Sequence, residues 1–99
     1  MEVIMYGTIA KLKAKPGAVD ELRKMTDGRK IPGYIASYAY QSDDNPNELW
    51  LVAIFKDKET YVANADSPEQ DQYYQMMRQK LSADPEWHDG EIVFADNAT

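Results

Sequence analysis

From Leu49 to Phe55 every position is apolar: Leu49-Trp50-Leu51-Val52-Ala53-Ile54-Phe55. A bulky, partly β-branched run of this length suits a strand. Successive strand side chains point to opposite faces, so this strand is apolar on both. Residues 3–14 repeat the pattern, with Val3, Met5 and Ile9 on one parity and Ile4, Tyr6, Ala10 and Leu12 on the other. Any sheet built on these strands must be covered twice.

The rest of the chain supplies one cover. Pro16-Gly17 is expected to open a helix with Val19, Leu22 and Met25 as its apolar stripe, ending at Gly28 or at Ile31-Pro32-Gly33. Asp20 and Glu21 come early in it and Arg23 and Lys24 late, as the helix dipole prefers. A second strand covers residues 34–41 and a third residues 48–56. The turn-forming run Ser42-Asp43-Asp44-Asn45-Pro46-Asn47 between them makes an antiparallel hairpin. A short helix follows from Asp57, with Tyr61, Val62 and Ala65 inward. Ser67-Pro68-Glu69-Gln70 starts another: Ser67 can cap, Pro68 suits the first helical position, and Gln70 completes a capping box. Its apolar face is Tyr73, Tyr74, Met77 and Leu81, and Pro85 closes it. The Asp89-Gly90 pair reads as a turn before a last strand at residues 91–95.

The order strand, helix, strand, strand, helix, strand is the ferredoxin-like split arrangement. The expected fold is α+β: a four-stranded antiparallel sheet with helices on one face, in a single domain over residues 1–99. A second copy is the simplest cover for the other face, giving a homodimer in which two sheets close into a dimeric α+β barrel.

Composition removes several functions. The net charge of −6 argues against nucleic acid and against an anionic membrane surface, both of which call for clustered Lys and Arg. Without cysteine there is no disulfide, thiolate metal site or thiol nucleophile. A single histidine and scattered carboxylates give no spaced metal-ligand set, and no glycine-rich nucleotide motif occurs, so neither metal nor cofactor is expected. No serine lies in an elbow motif. The basic region of a signal peptide and any run near the ~20 apolar residues of a membrane helix are also missing, so a cytoplasmic location is expected.

What remains is aromatic and polar. Trp50, Tyr74 and Trp87 are candidate walls of a pocket between sheet and helices, fit for a flat aromatic ligand. The same rings could instead fill the core or the dimer interface. His88, in Asp84-Pro85-Glu86-Trp87-His88-Asp89-Gly90, is the candidate base because its ordinary pKa is near 6.5, with Asp84, Glu86 and Asp89 close enough in sequence to orient it. The other reading is an exposed loop histidine beside a tryptophan plug. Arg78 could meet an anionic oxygen or pair with a nearby acid. Asn64 could donate to a substrate oxygen or serve as a helix-end residue.

Several segments carry a resemblance: Lys15-Pro16-Gly17 with Glu21-Leu22, Ile31-Pro32-Gly33-Tyr34, Asp43-Asp44-Asn45-Pro46-Asn47-Glu48, Ala63-Asn64-Ala65-Asp66-Ser67-Pro68, and Trp87-His88-Asp89-Gly90. In order and spacing they resemble the antibiotic biosynthesis monooxygenase family, whose fold is the dimeric α+β barrel. The resemblance implies a cofactor-independent monooxygenase acting on a small phenol- or quinol-like aromatic molecule. In that chemistry an activated phenol loses its proton and the anion reduces dioxygen. Trp50, Tyr74, Asn64, Arg78 and His88 are the residue types such enzymes use. Haem-degrading relatives carry an Asn on the first strand and a proximal His in a helix. Gly7-Thr8 and the position of His88 depart from that pattern. A non-catalytic ligand-binding or interaction dimer on the same fold is the alternative.

Overall fold

A computed structural model describes residues 4–25 and 30–96. The elements run β1 (Tyr6–Lys13), α1 (Val19–Lys24), β2 (Tyr34–Gln41), β3 (Glu48–Phe55), α2 (Lys58–Ala65), α3 (Pro68–Arg78) and β4 (Glu86–Glu91). The strands form one antiparallel sheet in the order β2-β3-β1-β4. The two strands that are apolar on both faces are therefore the central pair, and the more polar β2 and β4 take the edges.

Register separates the faces. Leu12 lies opposite Leu49, Ala10 opposite Leu51 and Trp87, and Thr8 opposite Ala53 and Asp89. This is the helix side, where Ala10, Leu12, Leu49, Met77 and Leu81 make the buried core and Val19, Leu22, Met25, Leu51 and Tyr74 pack around it. The other parity carries Ile9, Tyr38, Tyr40, Trp50, Val52, Ile54 and His88, and among the described residues no helix covers it.

Local chemistry explains the boundaries. Ser67 Oγ accepts from the Gln70 N–H at 3.1 Å, so the expected cap forms, and Asp57 Oδ1 caps α2 in the same way, accepting from the Thr60 N–H at 2.8 Å. Hydrogen bonding to Thr60 holds the Asp57 carboxyl below its ordinary range. The two Pro-Gly pairs have a common role. Ala18 N–H bonds Lys15 O at 2.9 Å and Tyr34 N–H bonds Ile31 O at 3.1 Å, and Gly17 and Gly33 both have φ of 80°. Proline then glycine at a positive φ is the type II turn. Pro16-Gly17 is thus a turn ahead of α1 and not its first helical turn. α1 ends at Met25, whose backbone is extended, which is earlier than the sequence suggests. Gly28 lies outside the described residues.

The C-terminal stretch differs most from expectation. Glu86 to Glu91 is the edge strand itself, paired with β1 from Lys11↔Glu86 to Tyr6↔Glu91, and the Ile92 N–H continues the ladder to Met5 O at 2.8 Å. Asp and Gly are poor strand formers. Here the open edge of β1 supplies the backbone partners whatever the side chains, and Gly90 falls opposite Gly7. No strand follows at residues 91–95 beyond Glu91.

Candidate functional site

A cleft of about 870 Å³ lies between the helix side of the sheet and the helices. That volume is within the ~300–1,000 Å³ range of small-molecule sites. Six of its twenty described lining residues are aromatic: Tyr34, Phe55, Tyr61, Tyr73, Tyr74 and Trp87. Tyr74 and Trp87 face each other at 6.4 Å between ring centroids, tilted 49°. Tyr61 packs on Tyr6 at 5.1 Å and edge-on to Phe55 at 5.5 Å.

One end of the cleft is polar. The Tyr61 hydroxyl donates to Asp89 Oδ1 at 2.8 Å, joining α2 to β4. Thr8, next to Asp89 across the ladder, is 5 % exposed, and its Oγ1 has no hydrogen-bond partner. Burial pushes the Tyr61 phenol up to about 12, and the hydrogen bond to Asp89 adds to this. The Thr8 hydroxyl acts in the opposite direction, although the two do not meet in a well-formed hydrogen bond. Elsewhere on the cleft wall Asn64 Nδ2 donates to Gln70 Oε1 at 3.4 Å.

The raised phenol pKa has a defined sign. An unfolded tyrosine ionises near 10 and Tyr61 near 12, so folding favours its neutral form. The stability it contributes is complete below about pH 10 and is lost as pH rises from there towards the folded value. Chemical denaturation across that alkaline range is expected to show a falling stability that Tyr61→Phe flattens. An unchanged slope in the variant would refute this origin.

The structure brings together Tyr74, Trp87 and Asn64 as cleft-lining residues. It separates the other three site candidates from them. Trp50 lies on the bare face, where Lys11 Nζ sits 5.8 Å from its ring centroid and Tyr40 is its cross-strand neighbour, so it is not a cleft wall. Arg78 ends α3 and clamps the following connection, with Nε donating to Asp84 Oδ1 at 2.8 Å and Nη1 to Leu81 O at 3.0 Å. His88 is on the bare face opposite Ile9. Trp87 and His88 are adjacent in sequence but on opposite faces, because the segment is a strand and not a loop. Sequence reasoning missed the Tyr61–Asp89–Thr8 group. The sequence marks Asp89 as a turn residue, and no local pattern relates Thr8 to residues so distant in the chain.

Among the described residues, no group of three or more histidines and carboxylates could hold a metal ion, and no helix is long and apolar enough to cross a membrane.

Fold and cleft together define a class: ferredoxin-like α+β proteins with an aromatic cavity between sheet and helices. The sequence profile of the antibiotic biosynthesis monooxygenase family matches residues 5–76, and the chain belongs to that family. A candidate antibiotic biosynthesis monooxygenase from Chloroflexus aurantiacus is similar at 25 % identity and a TM-score of 0.77, over 94 % of this chain and 97 % of the other. Another from Nitrosomonas europaea shares the fold at 14 % identity and a TM-score of 0.77, over 98 % of both chains. A third structure, from Mycobacterium tuberculosis, is 21 % identical with a TM-score of 0.66, over 96 % of this chain and 99 % of that one. No functionally curated protein matches the sequence significantly.

Proposed function

We propose that the protein is a cofactor-independent monooxygenase that oxidises a small phenol- or quinol-like aromatic molecule with dioxygen. The observation that carries this reading is the aromatic cleft with one polar end in a member of this family. Large rings such as Tyr74 and Trp87 can wall in a flat substrate while the polar end orients its oxygen. The substrate anion gives an electron to dioxygen, the radicals join through a new C–O bond, and loss of water leaves a quinone. The balance is phenol plus O2 to quinone plus water: the new carbonyl and the water each take one atom of O2, and the phenolic proton and the displaced ring hydrogen leave in the water.

The reading includes a homodimer in a cytoplasmic setting. The bare sheet face holds a groove of about 760 Å³ floored by Gly7 and Gly90. Beyond β4, Val93 and Phe94 are 91 % and 81 % exposed beside it. Isolated exposed apolar groups are ordinary, but a contiguous apolar face marks an interface. A second copy laid on this face would bury on the order of 2,000 Å² or more in total.

An oxygen electrode, metal-free protein and a panel of anthrols, quinols and naphthols test the activity. The expected result is one O2 consumed per quinone formed. No uptake with any of them would favour a binding dimer without catalysis. Because His88 faces away from the cleft, His88→Ala is expected to leave the uptake rate little changed. A loss of roughly 10²–10⁴-fold, the usual effect of removing a general base, would put the proton transfer on the other face.

A further inference from the structure

We propose, resting on the reading above, that the polar end of the cleft admits aromatic ligands whose polar group is a neutral hydrogen-bond donor and rejects anionic ones. The hydrogen bonding decides this. Tyr61 already spends its one O–H on Asp89 Oδ1. What the pair still presents to a ligand is acceptors: the second carboxylate oxygen of Asp89 and the lone pairs of the Tyr61 oxygen. Thr8 adds a buried hydroxyl with no partner, a condition native proteins rarely leave unrelieved. A ligand hydroxyl reaching this end can donate to Asp89 and accept from Thr8.

Charge points the same way. Asp66, Asp71 and Asp89 line the cleft, and no Lys, Arg or His does so among the described residues. Arg78, the cation that could have offset them, is turned to Asp84. A carboxylate or preformed phenolate would enter against these like charges with no donor fork to receive it. A phenol, whose ordinary pKa near 10 keeps it protonated at neutral pH, meets no such barrier. The ligand this end receives is therefore the neutral phenol.

Calorimetric titration with 2-naphthol and 2-naphthoate at pH 7 tests this, because the two probes share a ring system and differ in charge. Wild-type protein is expected to bind 2-naphthol at least about tenfold more tightly, the usual weight of a hydrogen bond to a charged group. Asp89→Asn keeps an acceptor for Tyr61 but removes the charge. It is expected to weaken 2-naphthol by about tenfold and to narrow the gap to 2-naphthoate. Equal or tighter binding of 2-naphthoate, binding of neither probe, or an unchanged 2-naphthol affinity in a natively folded Asp89→Asn would each overturn the inference. The wild-type comparison needs no variant to fold. Oxygen uptake is read separately: uptake without the naphthol preference overturns this inference alone, and the preference without uptake overturns only the oxygenase reading.

Discussion

Leu81→Ala is expected to lower the unfolding free energy by about 2–5 kcal/mol, the range for truncating a fully buried leucine where the surroundings relax only in part. Leu81 is 1 % exposed and belongs to the core with Ala10, Leu12, Leu49 and Met77. Its backbone is tied to the sheet as well, through the bridge to Ala14 and the neighbouring bonds from Lys15 N–H to Lys80 O at 2.8 Å and Ser82 N–H to Lys13 O at 2.8 Å. These ties hold the main chain in place, so it cannot close readily over the lost methyl groups. A domain of this size loses roughly 4–8 °C in Tm per kcal/mol, so Tm should fall by about 8–40 °C. The comparison must be made at fixed protein concentration if the protein associates. A change below about 1 kcal/mol would mean that the core packs differently around α3.

Ile54→Asp is expected to abolish the proposed dimer. Ile54 lies on the bare face of a central strand, opposite Gly7 on one side and Ala36 on the other. In a two-fold interface every substitution acts twice. Each buried carboxylate without a partner costs at least ~2 kcal/mol, so the dissociation constant should rise on the order of 10³-fold or more. Sedimentation at micromolar concentration should return monomer or unfolded chain. A dimer as tight as wild type would show that this face is not where two copies meet.

Much of the fold is legible in the sequence because its signals are local. Side-chain parity in residues 49–55 identifies a central strand. Asp57 and Ser67 start α2 and α3 through caps that reach only three residues onward. The turn cluster after Gln41 closes the β2–β3 hairpin with the Glu48 N–H on Asn45 O at 3.0 Å. Each of these depends on neighbours a few positions away, so composition and spacing suffice.

The candidate site was legible in part. Tyr74 and Trp87 were read as walls and lie in the cleft with Asn64, whereas Trp50, His88 and Arg78 do not. The facing of Trp50 and His88, which the sequence leaves open, has one physical source. In a strand, a shift of one residue exchanges the faces, and neither residue carries a local signal of which face its strand turns to the helices. Trp50 lies in a run that is apolar throughout, so parity alone could not choose. The facing of His88 depended on whether Asp89-Gly90 made a turn or joined the ladder on the open edge of β1.

The sequence by itself determined the element order, the Ser67 cap, the two-sided apolar strands and membership of a recognisable family. These are encoded in periodicity and in short-range hydrogen bonding. Only the tertiary structure decided that β4 begins at Glu86, that Trp87 and His88 part to opposite faces, and that Thr8, Tyr61 and Asp89 meet at one end of the cleft. Those three residues come from β1, α2 and β4. What unites them is the register of β1 against β4 and the seating of α2 on the sheet, both set by packing and backbone pairing across the whole chain.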